Sequence, residues 1–495
     1  MSKRYGLNIG VSGIGVYVPP LRVNLESWCE WTGASWPKTK AVVGKSFRMP
    51  ETSESIYTMA ATAVLRLILD NDIDPAQIGF LGFGTESSTD NAIGTPIIKG
   101  MVNQALRELG KPELARQCEV PEFKQACLGG IYALKAALRW TALDGRGRQA
   151  IVVSADTAEY ARGSSGEPTQ GAGAVAMWVE ENPKLFEVDL LNAGSASDYR
   201  GVDFRKPFQR HFMDSYTEST QRLHDFPVFS GKYSTTCYID EVIRAVEDMH
   251  GKISMSTRDM YQSMAGVFMH RPYHRMPENA LSALYVWGLG RSHTPEHQDE
   301  LRGICDDAGA SYEDVVTEMR SDPHLFGSVL EGESDPAVYK NAMGVARYFR
   351  STDKFKSVVK NKMTMGSELM MDLGNLYTAA LPAWLGAGIE EAFDCEIELA
   401  EKEFLLVGYG SGDAAESITV KMVTDWREHA HRIGMKKALL GFVDLTRAEY
   451  EALHDAHTDK GVDTSIGQRF VVDRVGQAQE ADFQDVGVEY YRFVP

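Results

Sequence analysis

The run Ile78-Gly79-Phe80-Leu81-Gly82-Phe83-Gly84 constrains this chain more than any other. It offers no polar face, so a strand made from it must be covered on both sides. Strands of that kind belong to α/β folds, in which helices pack on either face of a sheet. The neighbouring sequence agrees. Leu7 to Val18 reads as a strand closed by Pro19-Pro20. A helix is expected from about Glu54 to Asn71, capped by Thr52 or Ser53, with Ile56, Met59, Ala60, Val64 and Leu67 along one face. Arg148 to Ser154 reads as a strand followed by Asp156, and Gly171 to Met177 as a glycine-loosened strand beside it.

A similar order returns later, which suggests an internal duplication. Gly374 to Ala392 reads as a helix kinked at Pro382. Glu403 to Gly412 reads as a strand entering a Gly-Ser-Gly turn, a counterpart of Ile78 to Glu86. From about His297 to Lys362 the pattern is helical and acidic, as expected of a surface insertion. At 495 residues and 43% hydrophobic, the chain can bury a large core in two to four domain-sized units. The expected division is 1–185, then 186–425 with a helical insertion at about 283–362, then a tail at 426–495 packed on the core. No low-complexity linker intervenes, so the halves should share one core.

A net charge of -18 and a pI near 5.2 argue against nucleic acid or an anionic membrane surface as partners, while leaving room for local cationic pockets. No apolar run approaches the roughly 18 residues of a membrane span, and Met1 to Gly6 leads into no signal-like apolar segment. The expectation is a soluble cytoplasmic protein. Cys29, Cys118, Cys127, Cys237, Cys305 and Cys395 form no C-x-x-C pair, so neither a disulfide framework nor a zinc site is indicated.

In Phe123-Lys124-Gln125-Ala126-Cys127-Leu128-Gly129-Gly130 one thiol precedes two glycines. Ile131, Leu134, Ala137 and Leu138 then recur at helical spacing, so a buried helix should begin near Cys127 and carry it on its first turn. There the unpaired N–H groups would lower the thiol pKa and favour a nucleophile. A small buried hydrophobe is the competing reading. Glu86, in Gly84-Thr85-Glu86-Ser87-Ser88-Thr89-Asp90, is either a carboxylate at the end of a buried strand or a solvated turn residue. His270-Arg271-Pro272-Tyr273-His274-Arg275 reads as a cationic loop rather than core. Gly410-Ser411-Gly412 is a tight turn and no P-loop, because no Gly-Lys-Ser/Thr follows.

Taken together and in order, Gly84-Thr85-Glu86-Ser87, Lys124-Gln125-Ala126-Cys127-x-Gly129-Gly130, Pro168-Thr169-x-Gly171-Ala172-Gly173-Ala174, Pro227-Val228-x-x-Gly231-Lys232, His270-x-Pro272-Tyr273, Gly374-Asn375-Leu376-Tyr377-Thr378 and Tyr409-Gly410-Ser411-Gly412 resemble hydroxymethylglutaryl-CoA synthase. The resemblance covers most of the chain and is loosest at 280 to 365 and in the tail. It implies the thiolase fold, two duplicated halves in five αβαβα layers, acting as a homodimer in the mevalonate pathway of isoprenoid biosynthesis. It also implies an acyltransferase whose substrates are acetyl-CoA and acetoacetyl-CoA, with no cofactor. Cys127 would carry the acetyl group, Glu86 would remove a methyl proton and His270 would polarise the ketone of the second substrate. Backbone N–H groups at Cys127 and Ser411 would hold the acyl oxygen. The substrate-binding set would include Asn375, Thr169, Asp156 and Asp203, with Arg275 near the CoA phosphates in place of a lysine. Leu128 stands where the family usually has a tyrosine, which sets an apolar side chain beside the thiol. A polyketide β-branching synthase using an acyl carrier protein is the alternative, as is a ketosynthase III-like acyltransferase built on Cys, His and Asn. The second leaves Glu86 without a task.

Overall fold

The computed structural model describes residues 8–206, 226–228, 230–253, 257–332, 338–462, 464 and 467–495. Met1 to Leu7, at the head of the first expected strand, and residues 333–337 of the insertion lie outside them. Nine strands form one sheet: β1 (Ile9–Tyr17), β2 (Ile78–Gly84), β3 (Glu122–Phe123), β4 (Gln149–Ala158), β5 (Gly171–Glu181), β6 (Phe186–Ser197), β7 (Gly266–Met269), β8 (Glu403–Gly410) and β9 (Ala414–Met422). Their order is β3-β2-β4-β5-β1-β6-β9-β8-β7. The glycine-punctuated run Ile78–Gly84 is β2, buried along its whole length.

The duplication is written in the strand directions. In the first half β1 and β5 pair antiparallel, β5 and β4 antiparallel, β4 and β2 parallel. In the second half β6 and β9 pair antiparallel, β9 and β8 antiparallel, β8 and β7 parallel. The halves meet through β1 and β6 at Gly10↔Glu187 and Val11↔Phe186. Glu403–Gly410 is therefore the counterpart of β4. The counterpart of Ile78–Gly84 is the four-residue strand β7, whose brevity hid it in the sequence.

Helices obey the same relation. α1 (Ile56–Asp70) packs on β5 and β1 in the first half, beside α2 (Gly94–Glu108). α3 (Gly129–Leu143) precedes β4, α4 (Gly231–Ile253) packs on β6 and β9, and α5 (Ala380–Asp394) precedes β8. α3, α4 and α5 contribute to one apolar core and α1 to a second, the layering of a thiolase-like fold. Inside the first core Lys135 of α3 and Glu416 of β9 form a buried ion pair, and Ser195 of β6 donates to Glu416 at 2.8 Å. Breaking such a pair would strand a buried charge.

Two local expectations change. Ser55, not Thr52 or Ser53, caps α1, because its side chain and that of Thr58 satisfy each other's backbone N–H in a capping box. Pro382 causes no kink: α5 starts at Ala380, so the ring sits in the first turn, where its missing N–H has no partner to lose. The insertion is a set of helices spanning Pro295–Ala308 to Asp353–Lys362, carried on helix Met276–Arg291, which runs unbroken through position 283 and is buried from Ala280 to Gly290. The tail ends in a hairpin, Arg469–Val475 with Glu489–Val494. Arg469 fastens it to Glu51 at 2.7 Å and to Glu54 at 3.3 Å.

Candidate active site

Cys127 faces a cavity of about 330 Å³ because the chain turns sharply just before it. Ala126 has φ of 44°, a left-handed conformation that a side chain resists and that recurs at functional sites. The turn sends Cys127 one way and Leu128 the other. Leu128 is fully buried against Gly408 and Gly410 of β8, where a Cβ on either glycine would collide with it. The apolar residue beside the thiol is thus core, and it does not line the cavity. α3 begins at Gly129, so Cys127 stands just ahead of the first turn. Gly130 there lies against Gly84 of β2, an approach closed to any Cβ.

The expected lowering of the thiol pKa is overturned. Burial, followed by the charge and hydrogen bond of Glu86, pushes the Cys127 thiol well up. The N–H groups of Leu128 and Gly129, which would have favoured a thiolate, are bonded to the carbonyls of Gln125 and Ala126 at 2.9 and 3.3 Å. Cys127 is a protonated thiol, and it donates to Glu86 Oε2 at 3.1 Å.

Glu86 follows the end of β2 and is part-buried. Desolvation, then the charge of Asp156, raises its carboxyl to about 7. Asp156 lies inside β4, not after it, and is fully buried behind the cavity rather than on its wall. Its Oδ1 accepts from Thr85 Oγ1 and from the N–H groups of Glu86 and Ser87, at 2.9, 2.7 and 2.8 Å. Its Oδ2 accepts from Thr378 N at 3.0 Å. A substrate ligand at Asp156 is corrected to a brace: one carboxylate ties the Glu86 loop to the turn before α5, joining the halves. Asp156→Ala leaves these buried donors unmatched. It should cost about 3–5 kcal/mol, read as a lower denaturation midpoint.

His270 directly follows β7, and Glu86 lies two residues beyond the end of its counterpart β2. His270 is only 3% exposed. Burial lowers its pKa to about 3, so the imidazole is neutral. Arg271 is also buried, donating to Ser367 Oγ at 2.8 Å and to His274, whose pKa falls to about 4 through burial and the charge of Arg271. The expected cationic loop is therefore buried at His270 and Arg271 and half-buried from Pro272 to His274. The hydrophobic strand β7 draws its C-terminal neighbours in with it. Arg275 is the exception, 46% exposed. It lines a separate groove and not the cavity.

Cys127, His270, Asn375, Ser411, Thr169 and Asp203 all line the cavity. Asn375 Oδ1 accepts from Tyr377 N at 2.9 Å, and its own N–H bonds the carbonyl of Thr169 at 3.0 Å. An aromatic box closes over the thiol. Tyr160, Phe204 and Tyr377 stand with ring centroids 5.9 to 6.5 Å apart, edge to face. Tyr238 and Tyr409 flank the His270 ring at 6.4 and 6.5 Å. Sequence reasoning missed Tyr160, Phe204 and Tyr238. Tyr377 and Tyr409 carried a signal, each through the motif it stands in. Among the described residues no cluster of His, Cys, Asp and Glu could hold a metal ion, and no helix is long and apolar enough to cross a membrane.

This convergence has relatives. Residues 5–184 match the family described as hydroxymethylglutaryl-coenzyme A synthase N terminal. The hydroxymethylglutaryl-CoA synthase of Haloferax volcanii is 26% identical over 91% of this chain and 92% of its own length, and that of Enterococcus faecalis 25% over 93% and 95%. The chain is similar to hydroxymethylglutaryl-CoA synthases along about nine-tenths of its length. Solved structures carry the fold comparison further. The synthase MvaS in complex with 3-hydroxy-3-methylglutaryl coenzyme A superposes with a TM-score of 0.74 at 24% identity, covering 99% of this chain and 100% of that one. The HMG synthase of the curacin pathway, solved with a donor acyl carrier protein, gives 0.69 at 17%, with 98% and 100% covered. The fold of this chain is thus the fold of these solved synthases.

Proposed function

We propose that the chain transfers an acetyl group from acetyl-CoA to Cys127, condenses it with acetoacetyl-CoA and hydrolyses the thioester to give 3-hydroxy-3-methylglutaryl-CoA and CoA. The observation that carries the reading is the Cys127 thiol on Glu86, 3.1 Å away, in the cavity that His270 also lines. In the first step the thiol sulfur attacks the acetyl carbonyl, and its proton ends on the departing CoA sulfur. The acyl oxygen sits at the Cys127 and Ser411 turns, where backbone N–H groups stabilise its developing charge. Glu86, its carboxyl poised near neutrality, then takes a methyl proton from the thioester. The carbanion adds to the ketone carbon of acetoacetyl-CoA. A neutral His270 N–H polarises that ketone oxygen, and the alkoxide takes up the proton that Glu86 removed and becomes the product's hydroxyl. Water cleaves the enzyme thioester. The aromatic box keeps bulk water from the acyl group until the second substrate is seated.

A basic groove of about 750 Å³ supports CoA as the carrier. Arg275, Arg347, Arg350, Lys356 and Lys360 line it with Glu278 as the one acid. Burial, then the charges of Arg275 and Arg347, lowers the Arg350 pKa, a repulsion that an anion would relieve. The groove adjoins the cavity. Arg275 N–H bonds the carbonyl of Val42, and both Val42 and the next residue, Met276, line the cavity. The pyrophosphate and 3′-phosphate of CoA fit such a surface. Mixing the protein with acetyl-CoA and acetoacetyl-CoA and identifying the product by mass spectrometry tests the function; an enzyme active only with an acetylated carrier protein would move it to the β-branching reading. Arg275→Ala should raise KM for the CoA substrate about fivefold with little change in kcat, since a half-exposed contact remote from chemistry is made alike in ground and transition states. The same reading includes a homodimer in the cytoplasm, and light scattering measures the first of these.

A further inference from the structure

Beside the cavity wall that bears Ser411 stand two carboxyl groups that the reaction above does not use. Asp203 Oδ2 lies 2.8 Å and Asp413 Oδ1 2.9 Å from one phenol oxygen, that of Tyr409. Both aspartates are buried, and Tyr409 and Asp203 line the cavity. A phenol has one proton and can donate it to one oxygen. The second carboxyl must therefore bring a proton of its own and donate to the phenol oxygen or to its fellow carboxyl, because two anions would otherwise face each other without water.

Among the described residues, Arg200 is the buried cation beside the Gly412–Asp413 turn. Its guanidinium is engaged by Asp198 at 2.9 Å, Asp240 at 2.7 Å and Glu241 at 3.1 Å. From α4 the titratable neighbours are Cys237 and Tyr233, both held protonated, burial first and then the nearby charges. Asp413 also fixes the turn. Its Oδ1 accepts from Gly412 N–H, its own N–H bonds the carbonyl of Asp198 at 2.7 Å, and Arg200 N–H bonds the carbonyl of Gly412 at 3.0 Å. Ser411 is thus clamped between β8 and the loop that carries Asp203.

We propose that Asp413 is a positioning residue that works as a neutral acid: it keeps a proton of its own beside that of the Tyr409 phenol, so the Asp203–Tyr409–Asp413 unit carries one negative charge and the Ser411 turn stays in place. Burial, then the hydrogen bond and charge of Asp203, raises Asp413 to about 9. Above that pH the proton leaves, a second anion appears beside the developing oxyanion, and acyl transfer slows.

The proposal rests on Cys127 being the acylated thiol, and the test separates the two. Infrared difference spectra of wild type minus D413N should show a protonated carboxyl band at neutral pH that disappears through about pH 9. This needs no substrate. Stopped acetylation of Cys127 by acetyl-CoA, followed by intact mass, should show D413A slowed about tenfold or more at neutral pH, since buried partners are left unmatched. D413N, a permanent neutral donor and acceptor, should restore most of that rate and lose the alkaline decline of the wild type. A D413N enzyme as slow as D413A, or with the wild-type alkaline decline, overturns the proposal, as does absence of the carboxyl band. If D413A does not fold, D413N and the band still decide. Wild type that forms no adduct would overturn the condensing reading, and the carboxyl band would then decide the protonation of Asp413 by itself.

Discussion

Cys127→Ala should form no covalent adduct with acetyl-CoA while keeping its fold. The thiol is the one nucleophile in the aromatic box of Tyr160, Phe204 and Tyr377 among the described residues that line it. Its sulfur donates to Glu86, and its removal leaves a small apolar residue in an apolar surround. Condensation should fall to background, because no thioester forms to acidify the methyl protons. Intact mass after incubation reads the first result and circular dichroism the second. An adduct of acetyl mass on the folded Ala variant would place the nucleophile elsewhere.

Glu86→Ala should part the two halves of the reaction. Glu86 raises the thiol pKa both by its charge and by its hydrogen bond, so its loss does not deprive Cys127 of an activating partner it depends on. Acetylation should continue. Condensation requires a base at the methyl carbon and should drop by about two to four orders of magnitude. In the wild type the base form appears as pH rises through about 7, so the condensation rate should climb over that window. Stability runs the other way. A carboxyl whose folded pKa lies above its unfolded value contributes most below the unfolded value and loses that contribution as pH rises through about 7. Single-turnover acetylation followed by product analysis separates the steps. Near wild-type condensation by Glu86→Ala would restore the ketosynthase-like reading, in which that carboxylate is a turn residue.

Much of this site is legible in the sequence alone. Cys127, Glu86 and His270 stand out because motif glycines, an apolar strand and a helical period flank them, and those are local signals. The lowered thiol pKa is a local inference too, and it fails. It weighs the helix end and cannot weigh Glu86, which is remote in sequence. The cationic loop fails for the same reason. Charge counted along the chain does not reveal that β7 carries His270 and Arg271 inside, with Arg271 spent on Ser367 and His274. Leu128 looks in the sequence like a change in the acyl pocket, but a left-handed Ala126 turns it toward β8.

By itself the sequence pointed to the class of fold, a repeat and the candidate trio Cys127, Glu86 and His270, since each is carried by periodicity, by glycine at forced approaches or by residue chemistry within a few positions. Which strands correspond, how charges shift one another and which side chains face the thiol were decided by tertiary structure alone. β7 is too short to announce itself, and its match to β2 emerges only from strand directions. Asp156 and Thr378 lie 222 positions apart, and Tyr409 and Asp203 206. Coulomb and desolvation effects depend on distance and burial, and the chain sets both only when it closes on itself.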